Sequence, residues 1–158
     1  MKQRVGWLLI ILAVCILSAG ILGWFWQEAP PVQQSALSSP RIYAYRDWQS
    51  LGLQLNPGEV VRLRAQGTWL YTPGEYHGPE GHHKYPSPDT YPINRAPGGV
   101  LIGRFGETGT PFLVGRGGTF MADVAGRLYL RINDDILSDN EGFVTIEVSI
   151  TPPETPRP

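Results

Sequence analysis

Along residues 61 to 66 the chain alternates, with Val61, Leu63 and Ala65 apolar and Arg62, Arg64 and Gln66 polar. A period of two belongs to an extended strand with one wet face, so a β-strand is predicted here, entered through the turn sequence Asn56-Pro57-Gly58. Leu128, Leu130 and Ile132 repeat the pattern, and Val144, Ile146, Val148 and Ile150 alternate with Thr145, Glu147 and Ser149. These last two are the most regular stretches of the chain. Shorter strands are predicted over 41–45, 68–71, 100–105, 112–114 and 119–122, with Gly or Pro turns between them. Many short strands and no convincing helical period outside the N-terminus predict an all-β protein, an antiparallel β-sandwich or barrel.

The N-terminus follows a different rule. From Val5 to Trp26 there are 22 consecutive residues without a charged side chain, and roughly 20 apolar residues span a bilayer core as a helix. Lys2 and Arg4 precede the run and Glu28 follows it. The positive-inside bias then puts the N-terminus in the cytoplasm and the rest of the chain outside, with Trp24 and Trp26 at the outer interface. A cleaved secretory signal is the rival, ending near Ser18-Ala19-Gly20, but cleavage there leaves Ile-Leu-Gly-Trp-Phe-Trp exposed. Lipidation at Cys15 is a third reading, and apolar sequence continues well beyond it. All three export the remainder. The organisation expected is a signal-anchor at 1–26, a Pro- and Ser-containing linker at 27–40, a sandwich domain at 41–150 and a Pro-rich tail at 151–158.

Composition sharpens this in two places. Of 158 residues, 19 are Gly and 15 Pro, well above ordinary usage, which disfavours a helical domain. The single Cys, Cys15, excludes an intramolecular disulfide framework and a Cys-based zinc site. The chain carries 13 basic and 14 acidic residues, which suits neither a basic nucleic-acid binder nor an acidic tail. That near-balance is an average, because four of the acids, Asp134, Asp135, Asp139 and Glu141, fall within eight residues between the two most regular strands. Crowded carboxylates repel one another unless solvent or a cation offsets them. Ca2+ takes about six to eight oxygens from carboxylates, amides and backbone carbonyls. The spacing is not that of an EF-hand, and Asn, Asp, Ser and Gly are also ordinary turn residues. Composition alone leaves a calcium loop and a solvated turn open.

The second irregular segment runs from Pro73 to Gly99, with six Pro and three His in 27 residues. So long a break in the strand rhythm points to a functional loop. Tyr76, His77, His82, His83 and Tyr85 supply rings that suit either a sugar face or a packed cover. His77, His82 and His83 raise the possibility of zinc, yet adjacent side chains seldom converge on one ion, so they are read as exposed loop histidines. Trp48 and Trp69 are read as core.

Several blocks, in one order, resemble the calcium-dependent galactophilic lectins of PA-IL type. They are Asn56-Pro57-Gly58-Glu59-Val60, Ala65-Gln66-Gly67-Thr68-Trp69 followed by Tyr71, and Gly78-Pro79-Glu80-Gly81. Then come Gly99-Val100-Leu101-Ile102-Gly103-Arg104-Phe105-Gly106, Asn133-Asp134, and Asp139-Asn140-Glu141-Gly142-Phe143. The resemblance covers about Leu55 to Ile150. It implies a small jelly-roll-like β-sandwich holding one Ca2+ at the strand ends, to which sugar hydroxyls bind directly. By position it implies metal ligation by the Tyr71 backbone carbonyl, by the side chains of Asp134, Asp139 and Asn140, and by a backbone carbonyl at Leu137 or Ser138. The sugar would meet Asp134, Asp135 and Asp139. Asp139 stands where the family has Asn, and the loop before it is shorter by about two residues. The family's sugar-holding His-Pro-Asp-Gln aligns with Tyr85-Pro86-Ser87-Pro88, so both polar contacts are replaced. Tyr85 is then placed to stack on a sugar, with His82 or His83 as the polar substitute.

The expected function is therefore an exported, membrane-anchored carbohydrate-binding module that uses Ca2+ to hold a glycan, with homo-oligomers open. A different class of reading is an interaction sandwich with a structural ion or none. A glycosidase comes last: two carboxyl groups roughly 5 to 9.5 Å apart are needed, and carboxylates tied to a cation donate protons poorly. No Gly-x-Ser-x-Gly, His-Glu-x-x-His or phosphate-binding glycine motif is present. N-terminal sequencing of the mature protein should return residues upstream of Gly20 if the apolar run is retained as an anchor; a start just after Gly20 identifies a cleaved signal.

Overall fold

The computed structural model describes residues 39–72 and 74–151. The expected anchor at 1–26, most of the linker and nearly all of the C-terminal tail lie outside the described residues. Among the described residues no helix is long and apolar enough to cross a membrane. The strands in chain order are β1 (Arg41–Tyr43), β2 (Gln49–Leu55), β3 (Val60–Thr72), β4 (Glu75–His77), β5 (His82–Pro86) and β6 (Pro97–Gly98). They continue with β7 (Leu101–Phe105), β8 (Phe112–Leu113), β9 (Gly117–Met121), β10 (Gly126–Ile132) and β11 (Glu141–Thr151). A single 3-10 turn, Leu137–Asp139, precedes β11.

All pairings are antiparallel, as expected of an all-β sandwich. One sheet has the order β1-β11-β3, and the far edge of β3 is shared by β9 along Val60–Arg64 and by β4 near Trp69. The second sheet has the order β2-β10-β7-β8, and β5 with β6 forms a short separate ribbon. The stretches predicted separately at 61–66 and 68–71 fuse into one 13-residue strand, β3. Gly67 makes the fusion possible: its φ is +114°, and a Cβ there would lie 3.1 Å from the Phe143 carbonyl oxygen. Side chains rarely adopt that conformation. β2 was not predicted, although Leu51, Leu53 and Leu55 carry the alternation that marks it. The segment 73–99, read as one long loop, contains β4, β5 and β6.

The alternating positions do meet in one core. Val61, Leu63, Ala65 and Trp69 of β3 and Val144 and Ile146 of β11 face Leu128, Leu130 and Ile132 of β10, with Leu101 and Phe105 of β7. Trp69 is fully enclosed and donates its indole N–H to the Gly99 carbonyl at 3.0 Å. β7 buries Leu101 and Phe105 on its inner face, while Ile102 on its outer face joins a second cluster with Ala96 and Val100, flanked by Trp48 and Ile93. The segment 87–97 thus packs on the outside of the second sheet. Trp48, expected in the core, lies in this outer layer with the Arg104 guanidinium 4.3 Å from its ring centre, a cation–π contact.

Register puts the site segments together. β10 pairs Ile132 with Leu101 at the start of β7, and β11 pairs Glu141 with Leu70 at the end of β3. The connection from β10 to β11 therefore crosses from one sheet to the other at the sandwich end where 73–99 leaves β3 and enters β7. Truncating a buried branched side chain here removes apolar contacts and leaves a cavity. Leu130→Ala or Ile146→Ala should cost about 2–5 kcal/mol, against under ~1.5 kcal/mol for the half-buried Ile150→Val, measured by urea unfolding.

Candidate functional site

Asn133 ends the β10 run and is fully buried. Its side chain is satisfied entirely by the long segment: Nδ2 donates to the Ile93 carbonyl at 2.8 Å and to Ser87 Oγ at 3.3 Å, and Oδ1 accepts the Ile93 N–H at 2.9 Å. Its backbone bonds both neighbours of the β7 entry, N–H to the Val100 carbonyl at 2.8 Å and carbonyl from the Gly99 N–H at 3.0 Å. Ser87 continues the lock, its one O–H shared between the Ile93 and Ala96 carbonyls at 2.7 and 3.0 Å. Ser87 is thus internal, which removes it from sugar contact. This explains how a Pro-rich segment with few ladder partners stays in place beside the acidic loop.

Asp134 follows directly and is also buried, at 3% exposure. Its backbone carbonyl accepts Arg131 Nη2 at 2.6 Å, while Arg131 Nε reaches the Ile132 carbonyl at 3.0 Å and Nη1 meets Asp47. Burial pushes the Arg131 pKa down, and Asp47 and Asp134 act against that. The Asp134 carboxylate points into its own loop. Oδ2 accepts Asn140 Nδ2 at 2.7 Å, and Oδ1 accepts the Ile136 N–H at 3.3 Å. Asn140 Nδ2 also donates to the Ile136 carbonyl at 3.2 Å. With both amide protons engaged, Asn140 Oδ1 is left buried without a hydrogen-bond partner. A buried unpaired acceptor costs free energy, and beside a buried carboxylate it is the arrangement that a cation would satisfy. The atoms of this loop able to ligate a metal are all oxygens, from carboxylates, amides, a hydroxyl and backbone carbonyls, the set that suits Ca2+.

Tyr71 lies one position beyond the Leu70–Glu141 pair that ends the β3–β11 register, and Asn140 immediately precedes that pair's other member. Its ring lies against the backbone of Gly98 and Gly99; a Cβ on Gly99 would come within 2.6 Å of it. Its hydroxyl is 3.1 Å from that of Tyr91. Burial, reinforced by the hydrogen bond with Tyr71 and by the Asp134 carboxylate, holds the Tyr91 hydroxyl well above the usual tyrosine range. Tyr91 was not singled out from the sequence. No spacing signal marks it, because only the fold of the long segment brings it to Asp134.

The remaining expected site residues divide. Asp135, Ser138 and Asp139 are exposed, and the Leu137 carbonyl accepts the Asn140 N–H at 3.4 Å within the 3-10 turn. Tyr85 is 65% exposed and packs one face near His82, with ring centres 4.6 Å apart. His83 is exposed. The histidines as a group do not follow the expectation of solvated loop residues: His77 and His82 are largely enclosed, at 17% and 11% side-chain exposure, and both lie 3.4 Å from Glu75 Oε2. Strand pairing joins residues that sequence spacing separated. Among the described residues this is the one group of three or more His, Asp or Glu side chains converging on a common point.

The class that emerges is a two-sheet antiparallel sandwich with an oxygen-lined loop at one end. A solved structure described as the EclA N-terminal domain, a PllA-like lectin, has a similar fold, with a TM-score of 0.53, 21% identity, and an alignment covering 71% of this chain and 94% of that one. The likeness supports the lectin-type fold implied by the resemblance to PA-IL-type proteins. No protein-family model matches the chain, and no curated protein does. Because Asn133 alone ties Ile93 and Ser87 to β10, Asn133→Ala should lower stability by about 3 kcal/mol in urea unfolding and raise the rate of limited proteolysis within 73–99.

Proposed function

We propose that this chain is a carbohydrate-binding, lectin-like protein whose site is the end of the sandwich between the 133–140 loop and the 73–99 segment. The observation that carries the reading is the buried pair of Asp134 and Asn140, with the partnerless Asn140 Oδ1 beside a buried carboxylate. A similar fold in a protein described as a lectin supports it.

In this reading Asp134 and Asn140 hold Ca2+ with their side-chain oxygens, joined by Asp139, the Tyr71 carbonyl and a carbonyl at Leu137 or Ser138. The bound ion supplies open positions at which vicinal sugar hydroxyls replace water. The chain's own residues do the rest. Tyr91 stays protonated and can donate to, or accept from, a group arriving beside Asp134. Tyr85, at 65% exposure, offers a ring face to the apolar side of a sugar. Aromatic faces with a polar edge suit such ligands. Asp135, exposed within the 133–140 loop, serves as a hydroxyl acceptor, and His82 flanks Tyr85. The sugar identity is not part of the proposal, since the family's two polar sugar contacts are replaced here.

The proposal also keeps the domain outside the cytoplasm, behind the N-terminal apolar run, with a cell-surface or periplasmic glycan as ligand. A hydrolytic role is not proposed: both Asp134 carboxylate oxygens are already taken, by Asn140 Nδ2 and by the Ile136 N–H.

Isothermal titration of the full chain with Ca2+ should give one saturable site, and Asp134→Ala should weaken it at least tenfold, about 1.4 kcal/mol. A glycan panel should then give binding that disappears with chelator. No glycan binding at saturating calcium, combined with a melting temperature that falls on chelation, would sink the lectin reading and leave a structural ion.

A further inference from the structure

We propose that Glu75, His77 and His82 form a second metal site, separate from the acidic loop and selective for a transition-metal dication of the zinc class. Two imidazole nitrogens and one carboxylate oxygen suit Zn2+ and its neighbours in the first transition row, whereas Ca2+ is held by oxygens alone. The two sites therefore select different ions.

Distances agree with this chemistry. Glu75 Oε2 lies 3.4 Å from both His77 Nε2 and His82 Nε2. Two ligand atoms each about 2.0–2.1 Å from one ion and separated by a tetrahedral angle are about 3.3–3.4 Å apart. The three ligand atoms all lie within 4.8 Å of one another, so a small rotation of one imidazole closes the triangle. His77 Nε2 is buried with no hydrogen-bond partner. An enclosed imidazole nitrogen facing a carboxylate is poorly satisfied without a third party.

The scaffold holds these side chains from two directions. His77 pairs with Trp69 of β3, whose indole is locked in the core, and His82 pairs with Gly98 of β6. The intervening turn is fixed at its base by the Gly81 N–H to the Gly78 carbonyl at 3.0 Å, and by the Leu101 N–H to the Pro79 carbonyl at 2.8 Å. Ligands on pinned strands keep their spacing better than ligands on a free loop. Glu75 is 59% exposed on its side chain, which gives an ion a route from solvent. Three protein ligands leave a fourth position for water or another group. Binding has one local cost: Lys84 N–H donates to His82 Nδ1 at 3.3 Å, and metal at Nε2 requires the proton on Nδ1, so this long contact is given up.

The test is titration of the untagged full chain with zinc chloride by calorimetry, backed by the visible absorption of bound Co2+. One saturable site per chain is expected, with tetrahedral-type Co2+ absorption. His77→Ala and His82→Ala should each weaken binding at least tenfold, and Glu75→Gln, at an exposed position that does not threaten folding, should weaken it as well. His83→Ala should change it less than twofold, and Asp134→Ala should leave it intact while weakening calcium binding at least tenfold. Failure of the calcium or glycan experiments leaves this proposal standing. It is overturned if the wild-type chain binds no zinc at millimolar concentration, or if folded Glu75→Gln, His77→Ala and His82→Ala proteins bind like the wild type.

Discussion

The candidate site depends on one buried amide. Asn133 sits where β10 ends, without solvent, and its side chain spends all of its hydrogen bonds on the backbone of Ile93 and on Ser87. A segment with so many prolines has few N–H groups to give to a sheet, so pairing alone does not hold it. The amide substitutes for missing ladder bonds. Because Asp134 is the next residue, the same lock that seats the long segment also aims the loop in which the carboxylate lies. Replacing an internal hydrogen-bonded polar group costs more than its own bonds, since its partners are left buried and unpaired.

Around that lock the charges are sorted rather than spread. Arg131 spends its guanidinium on Asp47 and on two backbone carbonyls, one of them that of Asp134. It stabilises the loop backbone, while the Asp134 carboxylate turns the other way, to Asn140 and the Ile136 N–H. Tyr71 and Tyr91 close the side toward the long segment, with paired hydroxyls beside that carboxylate. On the other flank, Glu75 faces two enclosed imidazoles. The sandwich end thus offers two neighbouring donor sets, one of oxygens and one of nitrogens with a carboxylate, divided by the Tyr71 ring against Gly98 and Gly99.

Parts of this were legible in the chain and parts were not, for physical reasons. The alternation at Val61-Leu63-Ala65, Leu128-Leu130-Ile132 and Val144-Ile146 reports burial on one face and needs no partner to be read. Asp134 and Asn140 stood out through the local density of oxygen donors and the resemblance to PA-IL-type blocks. Tyr91 and Ser87 carried no such mark, being single residues in an irregular segment. The adjacency of His82 and His83 argues against a shared ion, but the pair that meets is His77 and His82. His77 and His82 lie on different strands whose pairing to β3 and β6 brings them to one carboxylate, while His83, adjacent in sequence, points to solvent.

The sequence by itself determined an all-β chain with a strongly apolar N-terminal run, one acidic turn and one Pro-rich interruption. Hydrophobic period, charge density and turn chemistry are local quantities, carried by neighbouring residues. Only the tertiary structure decided which irregular segments share an end of the sandwich, that Asn140 Oδ1 is left unpaired beside Asp134, and that two of three histidines meet Glu75. The first depends on strand register and sheet crossing, which act over separations of tens of residues; the other two join residues no more than seven positions apart and depend on how the folded segments turn their side chains.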